Sequence, residues 1–401
     1  MINLGILKEE KIPFDYRTPL IPLHCKKILQ INNIKIFIQS SNIRCYTDNE
    51  YKDNGVQVVD DISFCDILMG VKEIPVEKVI PNKIYLFFSH TIKMQPYNSN
   101  LLKKIVNSNI TLIDYELLSD TNNDRIIGFG RYAGLVGCYN GFLTYGKKFN
   151  LFNLKPAHKC KYFNSLELKK IKLPPIKILV TGKGRVGRGV CELIDMIGIK
   201  KVNINNYLSV NYDFPVYVNI DFLDYYERKD GLPSSEKDFF KSTNSYKSVL
   251  KKFANVTDIF FAGHYYDKNS PFLLSDDDMK SEAFKVKVIA DISCDLNGPI
   301  PSTIRSSTIL DPIYGYDPIT KKEVSFKNKN SIAVMAVDNL PCELPRDSSQ
   351  GFSEILFKRV IPSFQKFMST KYNEPSFLRK ATICCENKLT DRFNYLSDYI
   401  K

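Results

Sequence analysis

Residues 176–189 read IKILVTGKGRVGRG, an apolar run followed at once by a glycine-rich turn. The run predicts a buried strand, and Gly182, Gly184 and Gly187 match the G-x-G-x-x-G spacing. In this pattern the first glycine permits a tight turn, the second lets the backbone approach a pyrophosphate, and the third lets the helix pack closely on the strand. The stretch therefore predicts a dinucleotide-binding domain, with the cofactor phosphates at the amino terminus of the following helix.

The motif does not decide whether the cofactor is NAD or NADP. An acidic residue is expected about 20 positions after the first glycine, at the end of the second strand, where it holds the ribose of NAD. We predict that strand at 201–204, and Asn205 follows it. Asn205 could bond a ribose without repelling a 2′-phosphate, and Lys200 and Lys201 lie nearby in the sequence. The cofactor is therefore NAD or NADP.

Apolar strands alternate with helical segments on both sides of this motif, which is typical of parallel sheets. The fold class is α/β, with two Rossmann-like domains with parallel sheets around a central cleft. We place a substrate domain at 1–132, completed by 345–401, and a Rossmann dinucleotide-binding domain at 133–344. The charged stretch 221–251 is expected to be a helical surface insert. A short strand followed by charge is predicted within 2–10, further strands at 33–39, 66–71, 83–88, 110–113, 258–262, 286–291 and 331–337, and helices after 133 and at 354–366.

The composition excludes several classes of protein. With 401 residues, 44% hydrophobic and 25% charged, the chain is neither disordered nor a coiled coil. No apolar run is long enough to span a bilayer, and the early charges at 8–10 do not fit a signal peptide, so we expect a cytoplasmic protein with no membrane partner. The excess of 56 basic over 44 acidic residues (+12) is spread along the chain, which argues against nucleic acid. Ten scattered cysteines and four distant histidines predict reduced thiols and no metal.

Polar residues follow several of the predicted strands in the N-terminal part. They are Arg17, the pair Lys72–Glu73, and the stretch SHTIKMQ at 89–95. Charged groups at the carboxyl ends of parallel strands commonly line a ligand crevice. Taken singly, each of these residues would fit an ordinary surface position equally well.

Taken together, these pieces resemble the saccharopine dehydrogenase (L-lysine-forming) and lysine–2-oxoglutarate reductase group, within the alanine dehydrogenase and transhydrogenase alpha-subunit superfamily. The FFSHT-x-K-x-Q and ADISCD blocks point to the lysine branch, whereas Arg17, Lys72 and His90 are shared across the superfamily. The resemblance runs nearly end to end and is carried by K-E-x7-R-T-P-L at 8–20, GVKE at 70–73, LFFSHTIKMQPYN at 86–98, IDYE at 113–116, RIIGFGRYAG at 125–134, ADISCDLNGPI at 290–300 and AVDNLPCELPRDSSQGF at 336–352.

The resemblance implies an oxidoreductase of lysine metabolism that interconverts saccharopine with lysine and 2-oxoglutarate, using NAD or NADP. It implies that Lys72 is the general base and that His90 is the acid acting on the carbinolamine, with Glu73 and Glu116 tuning them. The implied substrate-binding residues are Arg17, Lys93, Gln95, Arg125 and Tyr132. The implied cofactor-binding residues, besides the glycines and Asn205, are Arg185, Val186, Asp291, Val337, Asp338, Asn339 and Leu340; for Asp291, a structural role as a strand-end cap is equally open.

Three alternatives remain. An alanine-dehydrogenase-type enzyme acting on pyruvate and ammonia would share the superfamily residues. A nucleotide-binding sensor with decayed catalysis should have lost Lys72 or His90, and both are present. A nucleic-acid binder would cluster its basic residues with aromatic ones, and only the stretch 155–161 comes near that pattern. We expect small-molecule substrates, an amino acid and a 2-oxo acid, as partners, and leave a homo-oligomer open.

Overall fold

The computed structural model describes residues 1–31, 33–370 and 376–401. The chain divides into two compact units, numbered here in chain order. Unit 1 comprises Met1–Phe129 and Pro345–Lys401, and unit 2 comprises Gly130–Leu344. The first boundary thus falls between Phe129 and Gly130, where the sequence predicted it after residue 132. The functions assigned to the two domains, and the central cleft, stay predictions.

Unit 1 is built on a sheet that has eight strands in the described residues, in the order β18-β17-β6-β5-β4-β1-β2-β3. The strands β1 to β6 all run parallel, whereas β17 and β18 add antiparallel pairs at one edge. The strands are β1 (Ile2–Ile6), β2 (Ile34–Gln39), β3 (Gln57–Val59), β4 (Ile67–Lys72), β5 (Ile84–Phe88), β6 (Thr111–Asp114), β17 (Thr382–Cys385) and β18 (Lys388–Leu389).

Both faces of this sheet are buried, which explains why its central strands are continuous apolar runs. Successive side chains of a strand point to opposite faces, so Ile67 and Met69 enter one hydrophobic core while Leu68 enters another. Helices cover these faces. They are α1 (Pro22–Leu29), α2 (Asp48–Lys52), α3 (Ser99–Asn107), α11 (Pro345–Ile355), α12 (Phe364–Ser369) and α13 (Phe377–Lys380).

The chain returns to unit 1 at Pro345, the position given by the sequence, but the helix of this return starts earlier than the sequence predicted. The helix expected at 354–366 begins at Pro345 and is interrupted between α11 and α12 by a π turn, Leu356–Val360, and a 3-10 turn, Ile361–Ser363. Pro362 lies in this interruption, where its missing N–H cannot continue the α-helical hydrogen bonds.

Unit 2 also contains an eight-stranded sheet in the described residues, ordered β15-β14-β16-β13-β12-β7-β9-β8. Its antiparallel pairs are β14 with β15 and β14 with β16. Its strands are β7 (Lys177–Thr181), β8 (Lys200–Lys201), β9 (Val216–Ile220), β12 (Ile259–Ala262), β13 (Val288–Asp291), β14 (Ile313–Asp317), β15 (Lys322–Val324) and β16 (Ile332–Met335). Its helices are α4 (Gly130–Phe149), α5 (Arg185–Ile197), α6 (Ile204–Ser209), α7 (Phe222–Tyr225), α8 (Glu236–Lys241), α9 (Lys251–Ala254) and α10 (Asp276–Lys280).

The two mostly parallel sheets confirm the α/β fold class, but two local expectations were wrong. The strand predicted at 201–204 is only Lys200–Lys201, and Ile204 already begins α6. The stretch 221–251 is not a purely helical surface insert, because it includes an antiparallel hairpin of β10 (Tyr226–Arg228) and β11 (Tyr246–Ser248). Aromatic side chains of this stretch, among them Tyr225 and Phe239, are buried in the core of unit 2.

Helix α4 lies against α5 at a distance that only glycine allows. A Cβ atom at Gly134 would lie 2.1 Å from the carbonyl oxygen of Val186, and one at Gly189 would lie 2.3 Å from that of Arg131. The last of the glycines in the GKGRVGRG stretch therefore serves helix packing. This contact fixes the amino-terminal end of α5, which follows the glycine-rich turn.

Candidate active site

In unit 1, the polar residues singled out from the sequence follow strands that are neighbours in the sheet. Lys72 and Glu73 lie at the end of β4, His90 follows β5, and Glu116 follows β6. Glu9 follows β1, the next strand on the other side of β4. Because parallel strands end at the same edge of a sheet, these groups form one polar cluster.

Lys72 is held at its backbone by the buried carboxyl group of Glu9. Glu9 accepts hydrogen bonds from the amides of Val71 (2.6 Å) and Lys72 (2.9 Å), at a point where the β4–β5 register is irregular. Burial, followed by the positive charge of Arg17, lowers the pKa of Lys72. A lowered pKa makes the neutral amine easier to form, which a general base requires. Glu9 was not predicted as a site residue, although it lies in the K-E motif.

His90 lies beside Glu73. Its Nδ1 atom is 3.3 Å from Oε2 of Glu73, and its ring stacks on Phe88 with centroids 6.5 Å apart. The other carboxylate oxygen of Glu73 accepts from the ammonium of Lys11. Burial raises the pKa of Glu73, but His90 and Lys11 outweigh it and hold that pKa at about 2. Glu73 is thus a fixed negative charge that orients the imidazole.

Arg17 is arranged differently from the expectation. Its Nε and Nη2 atoms donate to the two carboxylate oxygens of Asp15 at 2.9 and 2.5 Å, and both side chains are buried. Its guanidinium also lies 4.0 Å from the ring centre of Phe129. The forked edge that would grip a substrate carboxylate is therefore engaged by Asp15. The sequence could not reveal this, because many residues could pair with an arginine.

Two exposed cations meet at Glu116. Lys93 Nζ and Arg125 Nη1 each lie 3.6 Å from its Oε1 atom. Gln95 is exposed, and its side-chain oxygen accepts from the hydroxyl of Tyr97. Lys93 and Arg125 are thus two predicted substrate-binding residues that the structure brings together at one carboxylate.

Tyr132 belongs to the other unit. It lies in the first turn of α4 and belongs to unit 2, whereas the sequence placed it in the substrate domain.

In unit 2, the glycine-rich turn has the geometry that the motif predicted. Gly182 has φ +90°, and a Cβ atom there would lie 2.6 Å from the carbonyl oxygen of Gly263. A Cβ atom at Gly187 would lie 1.9 Å from the carbonyl oxygen of Gly182, whereas one at Gly184 would meet nothing within 4 Å. The open space at Gly184 fits the close approach of a pyrophosphate. These features fit a dinucleotide.

Some of the remaining cofactor-binding candidates lie next to the glycine-rich turn or at the same edge of the sheet, and one does not. Arg185 and Val186 begin α5, directly after the turn. Asn205 is exposed on α6 and does not end a strand beside β7, so it does not occupy the position that the spacing predicted. The physical reason is that β8 pairs with β9 and not with β7. Asp338, Asn339 and Leu340 follow β16, at the same edge of the sheet as the glycine-rich turn.

The side chains of three other candidates are occupied or buried. Asp291 accepts from the hydroxyls of Ser293 and Thr303, both at 2.6 Å, and from the amide of Cys294 at 3.1 Å. Its carboxylate therefore caps the end of β13, as the structural alternative expected. Val337 and Leu340 have side chains in the hydrophobic core of unit 2.

One buried histidine escaped the sequence analysis as a candidate. His264 follows β12 and its Nδ1 atom lies 2.7 Å from the hydroxyl of Thr181, the last residue of β7. Burial lowers the pKa of His264 from 6.5 to about 4, although Asp291 opposes the shift. The signal was a polar residue directly after an apolar strand, the same cue that identified His90.

The buried His264 predicts acid sensitivity of the fold. Between pH 6.5 and pH 4 the unfolded chain binds a proton at His264 that the folded chain does not, so stability is full above pH 6.5 and falls as the pH falls through this window. Between pH 7 and pH 5 this contribution is about 2 kcal/mol. We expect His264→Asn to lose correspondingly less stability than the wild type between these pH values in urea unfolding. An unchanged pH dependence would contradict the prediction.

Other chemistry is sparse in the described residues. There, no group of three or more His, Cys, Asp or Glu residues is arranged to hold a metal ion. The ten cysteines, all of which lie in the described residues, form no disulfide, and burial raises the pKa of Cys191 and of Cys294 to about 11. Within the same described residues, no helix has both the length and the apolarity that crossing a membrane requires.

Sequence comparisons identify related proteins over nearly the whole chain. Residues 5–136 match the family described as "Alanine dehydrogenase/PNT, N-terminal domain". Alpha-aminoadipic semialdehyde synthase of Arabidopsis thaliana is 29% identical over 98% of this chain, which spans 41% of that protein's length. The saccharopine dehydrogenase (NAD(+), L-lysine-forming) of Yarrowia lipolytica is 26% identical over 88% of this chain and 90% of its own length. The resemblance predicted from the motifs is confirmed.

Structural comparisons identify the fold. An L-alanine dehydrogenase matches with a TM-score of 0.69 and 14% identity, and the match covers 100% of both chains. A transhydrogenase from Sinorhizobium meliloti matches with a TM-score of 0.63 and 11% identity over 97% of this chain. The fold is therefore similar to that of alanine dehydrogenase.

Proposed function

We propose that this chain is a nicotinamide-dependent oxidoreductase that interconverts saccharopine with lysine and 2-oxoglutarate. The observation that supports it best is the placement of Lys72 and His90 at the ends of neighbouring strands in a chain similar to L-lysine-forming saccharopine dehydrogenases over most of its length. The semialdehyde synthases are more than twice as long as this chain, so their full activity is not transferred to it.

The proton chemistry is assigned to unit 1. Joining an amino group to a 2-oxo acid forms a carbinolamine, whose loss of water yields the imine that is reduced. In our proposal, Lys72 Nζ takes the proton from the amino group, and its lowered pKa favours the neutral amine that this step requires. His90 gives a proton to the carbinolamine oxygen as it leaves, and Glu73 beside it holds the ring.

Binding of the dicarboxylate is assigned to the exposed cations. Lys93 and Arg125 each lie 3.6 Å from Glu116, and with side chains 49% and 40% exposed both can be reached by a substrate carboxylate. Arg17, whose forked edge is engaged by Asp15, instead contributes positive charge next to Lys72. A nicotinamide dinucleotide at the glycine-rich turn would supply the hydride. The substrates are small molecules, and a homo-oligomer stays a prediction.

An absorbance assay tests the proposal. Purified chain is given lysine plus 2-oxoglutarate or pyruvate plus ammonia, each with NADH and with NADPH, and the loss of absorbance of the reduced cofactor is followed. We expect turnover in the lysine reactions alone. Turnover with pyruvate and ammonia alone would replace the proposal with an alanine-dehydrogenase-type activity. No turnover in any reaction would favour the nucleotide-binding sensor.

A further inference from the structure

The strand order of unit 2 changes which residue stands beside the glycine-rich turn. The sequence spacing pointed to the strand after α5, and hence to Asn205. In the structure, that short strand, β8, lies at the edge of the sheet and pairs with β9. The neighbour of β7 is β9 instead, in register along its whole length from Lys177–Val216 to Thr181–Ile220. The position of the second strand in a dinucleotide-binding sheet is therefore occupied by β9.

The residue that directly follows β9 is Asp221. Two hydrogen bonds join the end of β9 to the glycine-rich turn. The amide of Gly182 donates to the carbonyl oxygen of Ile220 at 2.8 Å, and the side-chain amide of Asn219 donates to the carbonyl oxygen of Gly182 at 2.9 Å. These bonds hold Asp221 next to the turn. An acidic residue at this place in the fold is suited to binding the adenosine ribose.

The Asp221 carboxylate is oriented but not saturated. It caps α7: its Oδ1 atom accepts from the amide of Phe222 at 3.0 Å, its side chain also accepts from the backbone amide of Asp224, and its own amide donates to the Asp224 carboxylate at 2.8 Å. A carboxylate has about four acceptor sites, so capacity remains for ribose hydroxyls. The side chain is only partly buried, so a ligand can reach it.

The lysines that favoured NADP in the sequence lie elsewhere. Lys200 pairs with Val216 and Lys201 with Tyr217, at the amino-terminal end of β9. Four residues of extended strand separate Val216 from Ile220, about 13 Å. These two charges are therefore displaced from Asp221 and from the carboxyl edge of the sheet.

We propose that Asp221 accepts hydrogen bonds from the adenosine ribose hydroxyls and makes this chain prefer NAD over NADP. A carboxylate at this position also repels the negative 2′-phosphate of NADP. The inference rests on the dinucleotide-binding part of the proposed function and does not depend on the identity of the amino acid or the 2-oxo acid.

Fluorescence titration of the full chain with NADH and NADPH, without amino or oxo acid, tests the inference. We expect the wild type to bind NADH on the order of tenfold or more tighter than NADPH, because hydrogen bonds to a charged group are lost and like charges are brought together when NADPH binds. Asp221→Asn should weaken NADH binding and remove most of this preference. Since Asn also caps helices well, thermal unfolding should be unchanged.

Two further variants test whether the effect is specific to Asp221. Asp213→Asn makes the same chemical change at an exposed position before β9 and should leave both affinities unchanged. Asn205→Ala tests the position that the spacing predicted, and it should also leave them unchanged. Tighter binding of NADPH by the wild type, or an unchanged preference in Asp221→Asn, would overturn the inference. So would a loss of preference in Asn205→Ala alone.

The binding readout also distinguishes this inference from the proposed function. NADH preference without turnover of lysine and 2-oxoglutarate would leave Asp221 as the ribose-binding residue and reject the substrate assignment. Failure of the wild type to bind either dinucleotide would overturn both.

Discussion

Lys72→Met and His90→Gln are each expected to lower kcat for saccharopine formation by about a hundredfold to ten thousandfold, the usual contribution of a positioned acid or base. Neither replacement side chain takes up or gives a proton near neutral pH. Both positions lie in unit 1, whereas the glycine-rich turn lies in unit 2. The affinity for NADH should therefore stay within about twofold of the wild type.

The pH profile adds a second readout for Lys72. Burial and Arg17 lower the pKa of Lys72, and a general base acts only in its neutral form. We therefore expect kcat/KM of the wild type to fall toward acid pH as Lys72 takes up a proton. Lys72→Met should lose this acid-side decline along with most of its activity.

A matched variant controls for the removal of a positive charge. Lys35 is an exposed lysine on β2 in the same unit, and Lys35→Met should retain wild-type kcat. If Lys72→Met or His90→Gln kept full turnover, the catalytic role of that residue would be wrong. Equal losses in Lys35→Met would show that the effect does not come from the polar cluster.

Gly187→Ala is expected to abolish dinucleotide binding and to destabilise unit 2. The added methyl would lie 1.9 Å from the carbonyl oxygen of Gly182, and a backbone atom cannot move aside without opening the turn. We expect a loss of about 3 kcal/mol in the free energy of unfolding, at the upper end of the cost of overpacking. Urea unfolding measures the loss, and NADH titration measures the binding.

Gly184→Ala is the steric control for this change. Gly184 has an ordinary φ of −73°, and a Cβ atom there would meet nothing within 4 Å. Its free energy of unfolding should stay within about 0.5 kcal/mol of the wild type, as for substitutions that create no clash. Equal stability of the Gly184→Ala and Gly187→Ala variants would refute the packing argument.

Much of the fold could be predicted from local patterns. Parallel strands buried on both faces are short apolar runs, so β1, β4, β5, β7 and β12 were all evident from the sequence. The antiparallel strands β17 and β18 were not predicted, because they are too short to show a clear apolar pattern. The strand β9 was missed because its five residues adjoin the charged stretch 221–251, which was read as a helical insert.

The sequence predicted which residues belong to the candidate site, but not all of the contacts between their side chains. The motifs identified Lys72, His90, Lys93 and Arg125, and the structure places them after strands that are neighbours in one sheet or in the loops that follow. The pairing of Arg17 with Asp15 was not predictable. An ion pair depends on which side chains the folded backbone brings within reach, and sequence spacing alone does not specify that.

The sequence by itself determined that this chain has two α/β parts, a dinucleotide turn at Gly182–Gly187 and the motifs of an amino-acid dehydrogenase group, because each of these is written in contiguous residues. Only the tertiary structure decided which strand lies next to β7, and therefore that Asp221 and not Asn205 adjoins the turn. Strand order results from hydrogen bonding and burial between segments that are distant in the chain. Spacing along the sequence identifies the residue that comes a given number of positions after the motif. The residue that contacts a ligand at the turn is set instead by which strands are adjacent in the sheet.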